Sequence, residues 1–332
     1  VRLGLSKRGR LDWADRVVVL RTPGSTFDYR GMTPATEPKK FVVSLKDLGL
    51  KGLYSLIGVR EGWTNIRGAI EKAWNKLGED LTKKKLIEEI ERASREEGRD
   101  AEDAGRAYAY VKQLEEFAVI SDKTIRVSEF LKPGHVVVLD LSGLPDTEIE
   151  AATWLVLKEV FYERMRAERG QEGAIEFPVF VFIEEAHRIA PKGRNPICKS
   201  IVTKIAREGR KFGVFLVIIS QRPSDLDPDV LGMCQSTIAM RIINPEDQSA
   251  IRKSAEKMSE DLLEDLPGLN IGEAVVVGEL VKAPAIIRFG GRKSLEGGSD
   301  IDVVKRLEEA RQRIEDMKRD AYTPKEGEEV YR

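Results

Sequence analysis

The sequence is poor in the residues that form covalent or metal cross-links. Among 332 residues it has two cysteines, Cys198 and Cys234, and two histidines, His135 and His187, none at the spacing of a CxxC or zinc motif. This scarcity argues against a disulfide framework and against a structural zinc site. A chain of this length with 41% hydrophobic residues can instead bury a sizeable apolar core.

Long hydrophobic runs and a strong net charge are also absent. No segment approaches the roughly 20 apolar residues that span a bilayer, and the amino terminus has no apolar signal region. We therefore expect a cytoplasmic protein without a membrane anchor. Because the formal net charge is −1, affinity for nucleic acid would have to come from a local basic surface.

A third absence concerns phosphate binding. A phosphate-binding loop has the pattern G-x-x-x-x-G-K-[ST], and the dipeptide Gly-Lys occurs nowhere in the chain. The segments 22–26 and 289–294 resemble this loop only superficially, since they lack the lysine or the glycine spacing. Either the protein is not a P-loop protein, or the loop lies upstream of Val1. The chain starts without methionine, which hints at a longer protein.

Two adjacent carboxylates follow an apolar, β-rich run. The run VFVFI at 179–183 is typical of a buried parallel strand, and Glu184 and Glu185 follow it directly. In a nucleotide hydrolase the first acid of such a pair holds magnesium, usually through water, and the second polarises the attacking water. The alternative is that both acids simply begin the next helix.

The next predicted strand ends in Ser220, Gln221 and Arg222. Open α/β sheets bind ligands at the carboxyl ends of their strands, so these polar groups should lie beside the acidic pair. Gln221 there could contact both a γ-phosphate and the attacking water. The alternative is a polar turn that Pro223 closes.

The segment between these strands, 187–211, is strongly basic. It has eight Lys or Arg against one acid, a net charge of +7. Its loop contains Lys192 and Arg194, which suit contacts to a phosphate backbone, although a solvated helix face would also explain the charge. Arg207 and Arg210 share one helical face and could reach an anionic site of this chain or of a neighbouring subunit. For His187 we expect a hydrogen bond at a helix start and not a metal contact.

Strands and helices alternate along most of the chain, which predicts an α/β fold with a doubly wound, mostly parallel sheet. We expect four parts: an α/β segment at 1–60, a helical insertion at 61–133, an α/β core at 134–290 and a helical tail at 291–332. The tail has apolar residues at near-heptad spacing over 301–319, which predicts an amphipathic helix. We predict strands at 16–20, 40–45, 136–140, 178–183, 214–219, 237–243, 273–277 and 285–289, and helices at 147–169 and 196–211.

Several long motifs resemble the HerA family of hexameric DNA translocases, which is related to the FtsK superfamily. They are PVFVFIEEAHRIAP, AREGRKFGV, SQRPSDLDPDVLGMCQSTIAMRIINPEDQ and LPGLNIGEAVVVG, in the family's order. The resemblance implies a RecA-like ATPase core with a helical insertion, using ATP and Mg²⁺. It also implies a hexameric ring that pumps double-stranded DNA and works with a NurA-type nuclease in end resection during double-strand break repair.

The resemblance assigns roles to particular residues. It makes 179–185 the Walker B strand, with Glu184 on the magnesium side and Glu185 as the catalytic glutamate. Gln221 falls on the sensor position, and Arg207 and Arg210 lie where an interface arginine finger is expected. The Walker A loop and the family's amino-terminal barrel are not in this chain, so no phosphate-binding residue is assigned.

Two other functions fit parts of the sequence. A conjugation or secretion ATPase would share the core but move single-stranded DNA or protein. A non-catalytic assembly module would need no phosphate loop, and it is the expected function if no Walker A loop precedes Val1.

Overall fold

The computed structural model describes residues 5–6, 9–10, 16–26, 37–173, 175–255, 258–291 and 303–322. Its strands are β1 Leu5–Ser6, β2 Gly9–Arg10, β3 Val17–Arg21, β4 Lys39–Lys40, β5 Val43–Ser44, β6 Ile120–Ser121, β7 Val136–Asp140, β8 Val179–Ile183, β9 Val214–Ile218, β10 Ser236–Ala239, β11 Glu273–Gly278 and β12 Ala285–Arg288. Its helices are α1 Leu45–Leu56, α2 Thr64–Leu77, α3 Lys83–Ser94, α4 Arg99–Val111, α5 Asp146–Ala167, α6 Ile197–Glu208, α7 Pro228–Gly232, α8 Pro245–Ser254, α9 Glu260–Asp265 and α10 Val303–Tyr322. None of these helices is long and apolar enough to cross a bilayer.

Parallel pairing joins the strands from β3 to β9, in separate groups. Strand β3 lies between β4 and β7 and runs parallel to both, while β8 pairs in parallel with β9 over five residues, from Val179 opposite Val214 to Ile183 opposite Ile218. Parallel neighbours need a crossover connection, and α6 supplies it between β8 and β9. The predicted α/β class with parallel strands is confirmed.

The last three strands depart from the parallel pattern. Strands β10, β11 and β12 form an antiparallel sheet in that order. Only six residues, 279–284, join β11 to β12, and so short a connection permits a hairpin but not a crossover. The predicted strand at 237–243 is also too long, because β10 ends at Ala239 and the chain then leads to Asn244, which caps α8.

Buried apolar side chains form two separate clusters. The larger one joins the parallel strands to α1, α5 and α6, and also takes in Ile70, Leu86 and Val111 from α2, α3 and α4. The region predicted as a helical insertion therefore shares its core with the sheet. The smaller cluster lies between the antiparallel sheet and α8 and α9, with Leu266 and Val275 fully buried. The predicted core at 134–290 thus contains two centres of packing.

One face of the β8–β9 pair is covered and the other is bare. Val179 and Ile183 of β8 are 8% exposed and belong to the large core, whereas Phe180 and Phe182 between them are 61% and 65% exposed. Side chains alternate between the faces of a strand, so these aromatics mark the second face. Phe180 stacks on Phe215 of β9, with ring centroids 4.9 Å apart.

The predicted amphipathic tail helix is present as α10. Its apolar residues Val303, Leu307, Ile314 and Met317 are all more than half exposed. Their spacing places them on one stripe of the helix. Within the described residues this stripe has no apolar partner, and the smaller and larger cores contain none of its members.

A buried arginine fastens α5 to the amino-terminal edge of the β8–β9 pair. Arg164 is 3% exposed; its Nε donates to the carbonyl of Phe212 at 2.8 Å and its Nη1 to that of Ile175 at 2.7 Å. Its third contact is an ion pair with Glu168. Gly213 has a φ of +68° and a Cβ there would lie 3.0 Å from Arg164 Nη2, so both the backbone and the arginine require glycine.

Replacing Arg164 with Met should lower the free energy of unfolding by about 2–5 kcal/mol, because two buried carbonyls lose their donor. Urea denaturation followed by circular dichroism measures the difference. The matched control is Arg166→Met two residues away, where the side chain is 45% exposed and paired with Glu163, and a loss below about 1 kcal/mol is expected. Equal losses in the two variants would contradict the assignment.

Candidate functional site: the carboxyl ends of β8 and β9

Glu184 continues the exposed face of β8. The alternation of the strand places it on the same side as Phe180 and Phe182, and it is itself exposed. Within the described residues its carboxylate makes no hydrogen bond or ion pair. It is therefore available to a ligand that approaches the bare face at the carboxyl edge.

Glu185 turns the chain away from β8. Its φ of 49° and ψ of 43° lie in the left-handed region, and it is the one non-glycine residue with positive φ among those described. Such a conformation costs on the order of 1–3 kcal/mol for a residue with a Cβ, and such strain clusters at functional sites. The turn is held by backbone hydrogen bonds that continue past the strands, from Ile219 N to the carbonyl of Ile183 at 2.9 Å and from Ala186 N to that of Ile219 at 3.0 Å.

The structure brings Gln221 into contact with Glu185. The amide Nε2 of Gln221 donates to Glu185 Oε1 at 3.2 Å. The two residues are 36 positions apart, and the parallel register of β8 and β9 sets them side by side at one edge. An acid and an amide that share this edge are suited to orienting a water molecule against a phosphate.

His187 completes the immediate surroundings of Glu185. Its Nδ1 lies 3.2 Å from Ser220 Oγ and 3.4 Å from Glu185 Oε2. The sequence predicted a hydrogen bond at a helix start, and the ring does lie in the short helical turn Ala186–Arg188. Its approach to the carboxylate was missed, because the adjacency of Ser220 and His187 follows only from the pairing of two distant strands.

The residues present fit a magnesium ion that is held mainly by water and phosphate. No group of three or more His, Cys, Asp or Glu side chains suited to a metal ion occurs in the described part of the chain. Magnesium commonly keeps several waters and takes one or two carboxylates together with substrate phosphates, which a single available Glu184 satisfies. Neither free cysteine is a candidate metal ligand. A cysteine binds metal as the thiolate, and burial raises the pKa of both thiols, that of Cys198 to about 12.

Asp140, at the end of β7, caps a turn. Its Oδ1 accepts a hydrogen bond from Ser142 N at 3.0 Å and its Oδ2 accepts one from Ser25 Oγ at 2.7 Å. An acid at the end of a strand can either support a metal site or only cap the following turn. Both carboxylate oxygens accept hydrogen bonds from residues that follow β3 and β7, which favours the turn-capping role over support of a metal site.

The structure divides the eight basic residues of segment 187–211 into two groups. One group is paired inside the chain: Arg188 with Asp146, Arg194 with Glu150 at 3.9 Å, Lys199 with Asp227 at 2.5 Å, and Lys204 with the hydroxyl of Tyr162 at 3.3 Å. The other side chains are exposed and have no such partner among the described residues: Lys192, Arg207, Arg210 and Lys211.

Lys199 holds the basic loop in place. Besides its ion pair with Asp227, it donates to the carbonyls of Pro191 and Arg194 at 3.0 and 3.1 Å. Burial raises the pKa of Asp227, but the hydrogen bond and charge of Lys199 and two backbone N–H groups outweigh it and hold that pKa below its usual range. The loop therefore presents Lys192 and Arg194 to solvent, with Arg194 59% exposed.

Arg207 and Arg210 lie at the opposite edge of the sheet from Glu185. Helix α6 runs back from the acidic edge, and the backbone of Arg210 accepts from Gly213 N just before β9 begins. Gly213 in turn accepts from Val179 N, the first residue of β8. Five strand residues, about 16 Å, separate this edge from Glu184, more than an arginine side chain spans. Neither arginine can reach the acidic pair of its own chain.

Two family models match the chain. The central domain of the helicase HerA matches residues 11–160, and the HerA-like helicase C-terminal domain matches residues 134–288. The DNA double-strand break repair helicase HerA of Pyrococcus furiosus is 36% identical over 209 residues, which cover 53% of this chain and 38% of that protein. The protein of the same name from Sulfolobus acidocaldarius is 28% identical over 309 residues, 86% of this chain and 62% of the relative. The chain thus spans less than two thirds of these relatives.

Similarity to solved structures extends over the same region. VirB4 of Thermoanaerobacter pseudethanolicus superposes with a TM-score of 0.54 at 15% sequence identity, covering 87% of this chain and 96% of VirB4. At this identity the likeness concerns the fold, and it confirms the RecA-like α/β architecture. The two family models overlap at 134–160 and together cover 11–288. The chain belongs to the HerA helicase family.

Proposed function

We propose that this chain is the hydrolytic part of an ATP-driven translocase, or helicase, that moves along double-stranded DNA. The observation that carries the proposal is the contact between Glu185 and Gln221 at the ends of two adjacent parallel strands. The relatives' name as double-strand break repair helicases supports a role in DNA repair.

Glu185 is the general base of the proposed reaction. A carboxylate only accepts hydrogen bonds, so its remaining lone pairs can hold a water molecule and draw a proton from it during attack on the γ-phosphorus. Gln221 carries two amide hydrogens and uses one on Glu185, which leaves one for a γ-phosphate oxygen. The same side chain thereby links the presence of the phosphate to the position of the base.

ATP supplies the phosphoryl group, and bound Mg²⁺ offsets the charge of its phosphates. Glu184 is the residue of this chain that would hold the ion, through water, because its carboxylate lies on the bare face without another partner among the described residues. No residue of this chain is assigned to cradling the triphosphate, since the sequence contains no Gly-Lys dipeptide.

The proposal extends to assembly and partners. Arg207 and Arg210 are separated from the acidic pair of their own chain by the length of a strand, about 16 Å. This distance favours a contact between these arginines and the site of an adjacent copy in a ring. The family resemblance supports six subunits and a NurA-type nuclease that resects ends together with the translocase. Exposed Lys192 and Arg194 are the proposed contacts to the DNA backbone.

Replacing Glu185 with Gln in the full-length protein should lower ATP hydrolysis by about 10²-fold or more, because the amide cannot accept the proton. Binding of a fluorescent ATP analogue should stay within about twofold. The control variant is Glu172→Gln, whose side chain is exposed and away from β8, and it should hydrolyse ATP as the wild type does. If the Glu185 variant hydrolyses ATP at the wild-type rate, the result contradicts the proposal.

Neutralising Lys192 and Arg194 to Gln should flatten the dependence of duplex binding on salt. Each phosphate contact contributes about 0.9 to the slope of log K against log[salt], so the double variant should lose about 1.8. Fluorescence anisotropy with blunt duplex over a salt series measures the slope. The double variant Lys84→Gln and Lys85→Gln on α3 removes the same charge from ion-paired positions and should keep the wild-type slope. An unchanged slope in the loop variant removes both residues from this role.

Mixing two inactive variants tests whether the arginines act on an adjacent copy. One protein carries Glu185→Gln and the other carries Arg207→Ala with Arg210→Ala. An intact site needs Glu185 from one subunit and both arginines from its neighbour. In a random mixture of equal amounts each condition holds for about half of the subunits, so the mixture should recover roughly a quarter of the wild-type ATPase rate. If the arginines served their own chain, every subunit in the mixture would stay defective and no activity would return.

A further inference from the structure

The imidazole of His187 lies between the two strand ends of the candidate site. Its side chain is 20% exposed, and one nitrogen, Nδ1, faces both Ser220 Oγ at 3.2 Å and Glu185 Oε2 at 3.4 Å. The contact with Ser220 ties it to β9, whereas Glu185 belongs to the end of β8. One ring nitrogen therefore touches both halves of the site.

The surroundings of Nδ1 determine where the neutral ring carries its proton. A carboxylate oxygen only accepts hydrogen bonds, and an unprotonated Nδ1 would set its own lone pair against that of Glu185. Ser220 Oγ already accepts from the backbone N–H of Arg222 at 3.0 Å, and it can accept a second hydrogen bond. The carboxylate thus favours a proton on Nδ1, whereas the hydroxyl of Ser220 can either accept from Nδ1–H or donate to an unprotonated Nδ1 and fits both forms.

We infer that His187 is a positioning residue that holds the carboxylate of Glu185 through an Nδ1–H donor anchored on Ser220. Gln221 holds the other oxygen, Oε1, at 3.2 Å. With one donor on each oxygen, the carboxylate plane is fixed between the ends of β8 and β9. The inference deepens the proposed function and rests on it, since a fixed plane matters only if Glu185 orients a water.

The backbone of Glu185 explains why such support is needed. Its left-handed conformation moves the side chain out of the alternation of β8, so the covered core no longer sets its direction. The carboxylate is 46% exposed and would otherwise rotate in solvent. A general base must stay within hydrogen-bond distance of its water, and a displacement of about 1 Å can cost up to about 10²-fold in rate.

A purely structural histidine is the alternative. It would use Ser220 alone, as a link between the turn after β8 and the end of β9. In that case the proton could lie on either nitrogen, and removing the ring would change stability without changing the rate of a correctly folded enzyme. The two roles therefore differ in tautomer and in kinetics.

The tautomer can be read directly by long-range ¹H–¹⁵N correlation of the imidazole rings. The chain has two histidines, and His135 also directs Nδ1 at an oxygen, the carbonyl of Pro133 at 3.1 Å, so the measurement uses the His135→Gln variant. At a pH where the ring is neutral we expect His187 to be protonated on Nδ1. A ring protonated on Nε2 would overturn the inference.

Kinetics of three substitutions in the full-length protein separate the roles. Asparagine places its amide nitrogen close to the position of Nδ1, whereas glutamine places it nearer to Nε2. We expect His187→Ala and His187→Gln to lower kcat by about 10- to 10²-fold with little change in KM for ATP, and His187→Asn to stay within about threefold of the wild type. The free energy of unfolding of each variant is measured as well, and it shows whether the decrease in kcat merely parallels a decrease in stability.

The Glu185→Gln variant distinguishes failure of the inference from failure of the proposed function. If it loses hydrolysis while His187→Ala and His187→Gln keep the wild-type kcat, His187 does not position the base and the proposed function stands. If Glu185→Gln hydrolyses ATP as the wild type does, the proposed function is wrong and the positioning role falls with it.

Discussion

The extension of β8–β9 pairing beyond the strands is the constraint on which the candidate site depends. Two backbone hydrogen bonds, Ile219 N to Ile183 and Ala186 N to Ile219, continue the ladder past the last paired residues. They hold Glu185 in a left-handed turn, and they set Gln221 and Ser220 opposite it. The acid, the amide and the imidazole therefore meet because two strands stay in register at their ends.

The packing below this junction supports it. Arg164 ties α5 to the residues that precede both strands, and one face of each strand joins the large apolar core. The basic loop is fixed separately, through Lys199 and Asp227. The residues proposed for catalysis and those proposed for DNA contact thus have distinct anchors, so a change in the loop does not need to disturb the carboxylates. The antiparallel sheet has its own core and adds a second, independent centre of packing.

Local patterns in the sequence were enough to locate the strands and helices that build the site. The run before Glu184 and the run before Ser220 predicted β8 and β9 within one residue at each end, because continuous apolar runs bounded by polar residues leave little choice of element. The contact between Glu185 and Gln221 could be anticipated from the rule that parallel strands share a carboxyl edge. The pairing of Arg188, Lys199 and Lys204 could not be anticipated. Their partners lie on α5 or cap α7, and a count of charges along the sequence does not identify them. The antiparallel pairing of β10, β11 and β12 was missed because alternating strands and helices predict parallel neighbours. The six residues between β11 and β12 contain no helix and are too few for a crossover.

The bare aromatic face of β8 has a consequence for the solubility of the chain. Phe180 and Phe182 are more than 60% exposed, while α5 and α6, which are close in sequence, already cover the other face. Within the described residues this face keeps Phe180, stacked on Phe215, toward solvent. An exposed apolar patch of this kind favours association with other polypeptides, so we expect the solubility of the chain to be limited by this face.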